Sequence, residues 1–388
     1  MTAVLEKFLY IFLPVTHFVC TSPVIITGPQ VERNRTKMSL LSLPNELLLE
    51  ICSYLSLQDT YSFLRTNRRL ATVFRYVLAE TALRTGYLPS ARQALYSAAA
   101  RKDTLMIEYL IRNKIFTIVD KKILLHHAAE TQSPDVIETL LDTCGLDVES
   151  KNYKGRSVLS VAASIGAADI VKLLLHRCKN INLNSQDLMQ STPLHLASST
   201  NHPSAPALLR LLLHDPRTDP TLTNEFGQTP LHIAISRGCK ALVPILLQHL
   251  GVNPNQPDGN GHTPLLIACE EGYDEIVKAL LEHPRIEVNA TNGQGWTPLN
   301  VAIMRGKVDV VRRLLADERV DCRARAPRFC WTGLHLAVAG GRREVLEVLV
   351  ANCRVRKDLT AVDEDMDTPF QLAVKCGIED AVEILRGL

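Results

Sequence analysis

Aromatic residues are scarce in this chain of 388 residues, in which Phe, Trp and Tyr together make up 5% of the sequence. An excess of charge is also absent, since 43 Lys and Arg residues nearly balance 41 Asp and Glu residues and leave a formal net charge of +2. A nearly neutral chain gives no electrostatic argument for binding nucleic acid. We therefore expect no nucleic acid among its partners.

Long hydrophobic runs are lacking as well. The apolar stretch 8–19 covers 12 residues and contains Pro14 and His17, whereas a helix needs about 20 residues to cross a bilayer. Lys7 would be a short basic region ahead of a signal peptide, but no convincing small-x-small cleavage site follows it. We expect no membrane contact, and we interpret residues 1–37 as an unstructured or mispredicted N-terminal extension, with Met38 as the natural start.

Cysteine is present but unpaired. The 10 cysteines stand singly, without Cys-x-x-Cys pairs or Cys/His ligand spacing. They indicate small buried thiols in a reducing compartment, the cytoplasm or the nucleus. No Walker loop, Gly-x-Ser-x-Gly or His-Glu-x-x-His motif occurs. The sequence predicts a protein that is not an enzyme, with no catalytic residue, no cofactor and no metal.

The chain does contain the apolar residues of a folded protein, 46% of the sequence, alongside 22% charged residues. Its length exceeds what one hydrophobic core usually supports. We therefore expect two or more domains, or an extended array of repeats.

A six-residue phrase recurs along most of the sequence, and its clearest form is Thr-Pro-Leu-His-x-Ala. Neighbouring copies begin 30 to 37 residues apart. Such a period is typical of repeat proteins, in which each repeat is one small supersecondary unit. The copies begin at Gln93, Ile123, Ser157, Thr192, Thr229, Thr263, Thr297, Thr332 and Thr368.

Further features keep the same phase as the phrase. An apolar block that opens a second helix begins 13 residues after the phrase start in eight of the nine copies, as in 170–175. The copy at Thr192 is the exception, because a turn-rich insertion at 201–206 delays its block. Glycine nine residues past the start predicts a left-handed helix cap, and Asp or Asn five residues before it suits a turn. Each unit is therefore predicted to be turn, helix, turn and helix.

This unit resembles the ankyrin repeat, and the resemblance covers residues 91–388. It implies an all-α solenoid of about nine helix-turn-helix units, each preceded by a finger turn. Neighbouring units must stack, because a single unit cannot bury its own apolar face. The family uses its finger turns and inner helices to bind other proteins, so the resemblance implies a protein partner.

Residues 38–84 have a different composition and predict three short amphipathic helices, with Pro44 in the first turn of the first helix. This segment resembles the F-box, whose motif is matched at Leu43, Pro44, Glu46, Leu47, Ile51, Leu55 and Asp59. The resemblance implies that these residues dock on the Skp-type linker subunit of a cullin-RING ubiquitin ligase. The chain departs from the pattern at Thr60, where an apolar residue is usual, and at Leu70, where tryptophan is usual. The alternative is a plain helical cap on the end of the repeats.

Three histidines, His195, His232 and His335, could be mistaken for a set of catalytic bases. Each occupies the same position of the recurring phrase, where ankyrin histidines bond the neighbouring turn. We therefore predict a structural role for all three.

Aromatic and methionine side chains are predicted at several finger turns. Such side chains are enriched in the cores of protein interfaces, although they could also pack between adjacent fingers. The candidate target-binding residues are Tyr153, Met189, Phe226, Trp296, Arg325, Arg328, Phe329 and Trp331.

Charge is unevenly distributed in the last repeats. Residues 305–357 contain 13 Lys and Arg against 6 Asp and Glu, whereas residues 358–388 contain 8 acidic and 2 basic residues. This basic stretch could hold an acidic or phosphorylated segment of a target, with Arg325 and Arg328 in one finger as the favoured pair. Arg342 and Arg343 follow the glycine cap of the same unit, on its opposite edge, and are not expected to share one surface with that pair. The alternative is a set of solvated charges that balance each other.

Two functions are compatible with these observations. In the first, the protein is the substrate-recognition subunit of an SCF-type ubiquitin ligase, which brings a target close to the ubiquitin donor. In the second, it is an ankyrin scaffold or inhibitor without a ligase. They differ in whether the F-box residues face a partner or the first repeat.

Overall fold

The structure, a computed structural model, describes residues 79–80, 82–327 and 329–387. Every regular element in this part of the chain is a helix, which confirms the all-α prediction. None of the described helices has the length and apolar content needed to cross a membrane. The chain divides into two compact units, residues 1–119 and 120–388. The predicted domains 1–37, 38–84 and 91–388 stay predictions.

The described part of the first unit contains one helix pair, α1 (Leu88–Ala100) and α2 (Thr104–Arg112), followed by a 3-10 turn at Ile115–Thr117. The two helices pack against each other and fully bury Leu95 and Ile107. Asp103 starts α2 by accepting the backbone N–H of Met106 at 3.1 Å. This pair is the unit that the phrase at Gln93 predicts.

The second unit contains eight more helix pairs. Each first helix packs against the first helices of its neighbours, and each second helix against the second helices, so that two helical layers run through the unit. The pairs are α3 (Lys121–Thr131) with α4 (Pro134–Cys144), α5 (Val158–Ser164) with α6 (Ala168–Arg177), α7 (Pro193–Ser198) with α8 (Ala205–His214), α9 (Pro230–Ser236) with α10 (Val243–Leu247), α11 (Pro264–Glu271) with α12 (Asp274–Leu281), α13 (Pro298–Arg305) with α14 (Val308–Ala316), α15 (Gly333–Ala339) with α16 (Arg343–Ala351), and α17 (Pro369–Cys376) with α18 (Glu379–Arg386).

The recurring phrase supplies the start of each first helix. In α7 the Thr192 side chain accepts the N–H of His195, and Pro193 stands in the first turn, where its missing N–H costs nothing. The predicted glycine cap ends α11 at Gly272, whose φ of 83° lies in the left-handed region. Only glycine adopts that conformation without a steric penalty.

The finger turns are closed by their own Asp or Asn side chains. Asn224 Oδ1 accepts the N–H groups of Phe226 and Gln228, both at 3.0 Å, and the Asn224 N–H donates to the Gln228 carbonyl at 2.9 Å. A short polar side chain that bonds its own backbone favours this turn over a continuing helix. The spacing of Asp and Asn in the sequence therefore locates the fingers.

The insertion in the fourth repeat packs back onto its neighbours. The Ser204 hydroxyl donates to the carbonyl of Gly166 in the third repeat, and Asn201 accepts a hydrogen bond from the Cys239 thiol of the fifth repeat at 2.9 Å. The extra residues therefore connect three consecutive repeats.

The eight cysteines in the described part of the chain differ in burial, and Cys178 is half-buried. Cys144, Cys239, Cys269 and Cys322 are buried as expected, and burial raises the pKa of the Cys269 thiol. The expectation of burial is wrong for three cysteines on fingers, loops or helix ends that no neighbouring helix covers. These are Cys330, Cys353 and Cys376.

A set of arginines that the sequence analysis missed joins the repeats along the second helices. Each lies just after a second helix, and its guanidinium donates to backbone carbonyls of the preceding repeat. These carbonyls lie at helix ends or in loops, where the helix itself supplies no hydrogen-bond partner. They are Arg217, Arg285, Arg319 and Arg354.

Replacing Arg354 with alanine should lower the free energy of unfolding by about 2 kcal/mol, because a charged hydrogen bond contributes about 1.5 to 3 kcal/mol. Its guanidinium bonds three carbonyls of the seventh repeat, those of Leu315, Asp317 and Val320. Urea denaturation measures the loss. The matched control is the exposed Arg312 on α14, whose replacement by alanine should change stability by less than about 0.5 kcal/mol. Equal losses for the two variants would contradict the bridging role.

Candidate protein-binding surface

A ladder of backbone hydrogen bonds joins the tips of neighbouring fingers. Each bond runs from an N–H in one tip to a carbonyl in the preceding tip, at 2.9 to 3.2 Å. Because these backbone groups bond to the neighbouring finger, the side chains of the tips can face solvent. The bonds run from Leu188 to Lys154, from Glu225 to Met189, from Gly259 to Phe226 and from Glu364 to Phe329.

Large apolar side chains occupy three consecutive finger tips, in the third to fifth repeats. We call them the N-terminal tip cluster: Tyr153 is 83% exposed, Leu188 70%, Met189 45% and Phe226 55%. Three of the four, Tyr153, Met189 and Phe226, are candidates from the sequence, and the structure places them on adjacent fingers. The side chains of Tyr153 and Phe226 thus expose more than half of their surface to solvent.

The next two tips carry no large side chain. They consist of Gly259 with Asn260 and of Gly293 with Gln294. A Cβ atom on Gly259 would lie 2.6 Å from the carbonyl oxygen of Phe226, so the close approach of the two fingers requires glycine. The glycine tips interrupt the row of apolar side chains.

A second apolar group, the C-terminal tip cluster, consists of Phe329, Trp331 and Met366. The rings of Phe329 and Trp331 lie 4.9 Å apart between centroids at an angle of 30°. Phe329 is 50% exposed and Met366 71% exposed, while Trp331 is half-buried. The Trp331 indole N–H donates to the Asp363 carboxylate at 3.1 Å and so ties the eighth finger to the ninth.

The eighth finger departs from the regular turn because Pro327 stands where the other fingers have Asp or Asn. Proline has neither the N–H nor the side chain that closes the turn. The closing bond instead runs from the N–H of Ala326 to the carbonyl of Trp331 at 2.7 Å. Phe329 and Cys330 both adopt positive φ angles, 65° and 48°, which are unfavourable for residues with side chains. The eighth finger therefore holds the Phe329 ring on a backbone conformation that differs from the regular finger turn.

The four arginines predicted for the acidic segment have different settings. Arg325 is exposed, and its guanidinium donates to the carbonyls of Cys330 at 2.9 Å and Val362 at 2.8 Å. Arg328 lies outside the described residues. Arg342 and Arg343 follow the far end of α15, where Arg343 pairs with Asp380, so they do not join Arg325 in one patch.

Carboxylates of the ninth finger stand beside the eighth. The N–H of Glu364 donates to the carbonyl of Phe329 at 3.2 Å, and both Glu364 and Asp365 are exposed. Burial acts to raise the pKa of Asp363, but hydrogen bonds from the Asp367 backbone and from Trp331 outweigh it, so that the pKa is lowered. The ninth finger is therefore negatively charged at neutral pH.

Trp296 belongs to neither cluster. It is half-buried and lines an open cleft of about 400 Å³ between the seventh finger and the first helices, with Leu266, Val301 and Met304. An ion pair between Glu270 and Arg305 closes one side. This cleft can accept a single apolar side chain of a partner.

The histidines of the phrase are structural in this part of the chain. The ring of His195 accepts the N–H of Thr192 at 3.2 Å through Nδ1 and donates through Nε2 to the carbonyl of Gln228, in the next finger, at 2.9 Å. His232 and His335 repeat the arrangement. The sequence analysis overlooked His126, which bonds the Arg156 carbonyl in the same way at 2.9 Å and stands at the same phrase position.

Two tip residues were also missed as candidates. Leu188 directly precedes Met189, and Met366 occupies the left-handed position that glycine holds in other fingers, with a φ of 62°. A large residue at a position that normally requires glycine was the available signal. The F-box motif residues 43–59 lie outside the described residues.

Comparison with known families matches both parts of the sequence. The family model for ankyrin repeats in three copies matches residues 125–210, 204–292, 242–326 and 285–363, which together cover more than half of the chain. The F-box-like family model matches residues 40–77, a range that includes all seven motif residues predicted to bind the linker.

Individual relatives match shorter parts of the chain. The B-cell lymphoma 3 protein homolog of Mus musculus is 31% identical over 122 residues, which are 31% of this chain and 26% of the relative. NF-kappa-B inhibitor alpha of Rattus norvegicus is 48% identical over 62 residues, 16% of this chain and 18% of the relative. Alpha-latrotoxin-Lg1a of Latrodectus geometricus is 30% identical over 156 residues, 38% of this chain and 11% of the relative. The matched part is thus at most about a quarter of the length of these relatives.

A solved structure shows the same fold. The crystal structure of the ankyrin repeat domain of Bcl-3 superimposes with a TM-score of 0.51 at 27% identity, covering 58% of this chain and 96% of the other. The helix pairs, the hydrogen bonds between fingers and the family match all indicate the same fold. The chain therefore belongs to the ankyrin-repeat family and carries an F-box-like domain ahead of its repeats.

Proposed function

We propose that this protein is the substrate-recognition subunit of a cullin-RING ubiquitin ligase of the SCF type. The F-box-like segment docks the Skp-type linker, and the finger surface holds the target protein. Both modules bind proteins and are not catalytic in their families, so the receptor acts by raising the local concentration of the target. It would work in the cytoplasm or the nucleus. The linker-binding residues are Leu43, Pro44, Glu46, Leu47, Ile51, Leu55 and Asp59.

The observation that carries target binding is the N-terminal tip cluster. Apolar side chains that stay largely exposed on consecutive fingers contribute little to the stability of the repeats, and contiguous exposed apolar surface marks interaction sites. The rigid finger ladder also holds the cluster in place before binding, which reduces the entropy lost on association. The neighbouring cleft at Trp296 would take an anchoring side chain of the same target.

A scaffold or inhibitor without a ligase is the second candidate. It is favoured by the relatives, which match the repeats and whose names refer to an inhibitor and to a lymphoma protein rather than to ligase subunits. The two functions share the finger surface. They differ only in what the F-box-like segment binds.

Replacing Leu188 and Phe226 together with serine should reduce recovery of the target at least tenfold. Central apolar residues of interfaces cost about 2 kcal/mol or more when truncated, and 1.4 kcal/mol corresponds to a factor of ten. Proximity labelling in cells, quantified by mass spectrometry for both proteins, makes the measurement. Because both side chains are exposed, the melting temperature should not change.

The control is Leu250, which is 92% exposed outside the fingers. Replacing Leu250 with serine should change neither the set of labelled proteins nor the extent of their labelling. If the double variant labels the same proteins to the same extent as the unmodified chain, the finger surface is not the target site.

A further inference from the structure

The C-terminal tip cluster differs from the N-terminal one in what surrounds it. In the third to fifth fingers the exposed rings stand among mixed charges, with the Lys154 ammonium 5.5 Å from the centroid of the Tyr153 ring. The exposed Phe329 ring of the eighth finger stands next to a ninth finger that is rich in carboxylates. The Glu364 N–H donates to the Phe329 carbonyl at 3.2 Å, and the Glu364 carboxylate accepts the thiol of Cys330, the residue after Phe329, at 3.7 Å.

Among the described residues, the cations near these fingers have partners, and Arg328 lies outside that part of the chain. Arg325 is held by two backbone carbonyls, Arg323 pairs with the buried Asp358 at 3.2 Å, and Lys375 pairs with Asp367. Among the residues that the structure describes, no ion pair includes Glu364 or Asp365. The Glu364 carboxylate accepts the Cys330 thiol at 3.7 Å, next to Phe329, and the Asp365 carboxylate lies within 4.8 Å of those of Asp363 and Asp367. Neither exposed carboxylate is neutralised by an ion pair with a described residue.

The other two aspartates of this finger are committed to internal contacts. Asp363 accepts the Trp331 indole N–H at 3.1 Å, and Asp367 pairs with Lys375. Trp331 in turn contacts the ring of Phe329, at 4.9 Å between centroids. These contacts join an exposed aromatic ring to a finger with two exposed carboxylates.

We propose that the C-terminal tip cluster docks a basic segment of the target protein, with a lysine or arginine side chain over the Phe329 ring and against Glu364 and Asp365. An aromatic face attracts a cation, and carboxylates complement it. Met366, which is 71% exposed, adds apolar contact for the stem of the same side chain. The inference rests on the proposed target binding and names its chemical class.

The same charges disfavour the acidic or phosphorylated segment that the sequence predicts for this region. An anionic segment at the eighth finger would approach Glu364 and Asp365 as well as Arg325, whose guanidinium is already bound. Like charges brought together at an interface oppose binding. The acidic-segment prediction has not been tested, and one experiment separates the two.

The test titrates the full-length protein with two fluorescent peptides by anisotropy, one of alternating lysine and leucine and one of alternating glutamate and leucine. Buffers contain EDTA, so that a metal ion does not occupy the carboxylates. The basic peptide should bind about tenfold more tightly at low salt, and high salt should weaken it, since screening acts on exposed charges.

Variants then locate the binding. Replacing Glu364 and Asp365 with lysine should weaken the basic peptide about tenfold and remove its salt dependence. Phe329→Leu, which keeps an apolar side chain but lacks the ring, should weaken it roughly threefold. The matched control is Glu225→Lys, because Glu225 occupies the position of Glu364 in the fifth finger, with the same backbone bond to the preceding tip at 3.0 Å. It should bind the basic peptide as the unmodified chain does.

Equal affinity for the two peptides, tighter binding of the acidic one, or equal losses in the control variant would overturn this inference. The three lysine substitutions fall on exposed side chains, and an unchanged melting temperature shows that each variant is folded. If the peptide titration fails but the Leu188 and Phe226 variant loses the target, only the proposal of a basic target segment is wrong. If that variant keeps the target but the peptides show the expected preference, the proposed target surface at the N-terminal tip cluster is wrong instead.

Discussion

Replacing Leu43 and Pro44 together with alanine should abolish capture of a Skp-type linker by this protein. Both residues belong to the segment 40–77 that the F-box-like family model matches. Burying one apolar side chain contributes about 1.5 to 3 kcal/mol, so losing two lowers affinity by at least about a hundredfold. Co-purification of the linker with the full-length protein and with the variant measures the effect.

The same variant separates the F-box from a plain helical cap. If the segment only covers the end of the repeats, the double replacement should lower the melting temperature of the repeats. Linker capture should then be the same for the unmodified protein and the variant, or absent from both. If it docks the linker, capture is lost and the repeats melt as before. Leu105→Ala on α2 is the control, because that leucine is 75% exposed and its loss should affect neither measurement.

His232→Ala should lower the free energy of unfolding by about 1 to 3 kcal/mol, because a buried group left without a partner costs about that much. The His232 ring is fully buried and accepts the Thr229 N–H at 3.1 Å through Nδ1, while Nε2 donates to the His262 carbonyl at 3.2 Å. Alanine leaves the Thr229 N–H without a partner, whereas the His262 carbonyl keeps the N–H of Asp258 at 2.9 Å. Urea denaturation at neutral pH measures the difference.

Two comparisons sharpen this prediction. His232→Asn should recover part of the loss, since Asn300 occupies the same phrase position in the seventh repeat and donates to the Ala324 carbonyl at 3.4 Å. His176 on α6 is exposed, and its replacement by alanine should cost less than about 0.5 kcal/mol. A loss at His232 no larger than the loss at His176 would contradict the bridging role.

The buried histidines also predict how stability depends on pH. Burial lowers the pKa of His126, His195, His232 and His335 below the ordinary value of 6.5. The unfolded chain therefore binds protons below that pH while the folded chain does not. Their contribution is complete above 6.5, is lost progressively as the pH falls below it, and reaches its minimum below the folded-state pKa values.

Unfolding free energies from urea titrations at about pH 7.5 and about pH 5 test the sign. The unmodified protein should be less stable at the lower pH, and His232→Asn should show a smaller loss because it has one buried imidazole fewer. Equal stability at the two pH values would mean that these rings titrate alike in the folded and unfolded chains.

Much of the architecture could be predicted because it depends on local spacing. Thr192 and Pro193 begin a helix and Gly272 ends one through bonds within a few residues, so their positions in the phrase locate the helix pairs. The fingers follow from Asp and Asn in the same way. The exposed residues Tyr153, Met189 and Phe226 were identified because a finger tip is defined by its distance from the phrase.

Other features were beyond the reach of local patterns. Arg354 gives no sign in the sequence that its guanidinium bonds carbonyls 34 to 39 residues away. The cysteines illustrate the same limit, since exposure of Cys330 depends on the irregular finger around Pro327. A count of basic residues likewise does not predict that Arg325 donates hydrogen bonds to backbone carbonyls.

The sequence by itself determined the repeat, its helix caps, its finger turns and the F-box-like motif, because each of these depends on residues close together in the chain. Only the tertiary structure decided which tips stand side by side and which charges remain free. Glycine tips at Gly259 and Gly293 split the apolar row in two, and stacking of the ninth finger on the eighth sets Glu364 beside Phe329. Contacts between repeats, about one repeat length apart in sequence, set the chemistry of the surface, and a pattern within one repeat does not contain them.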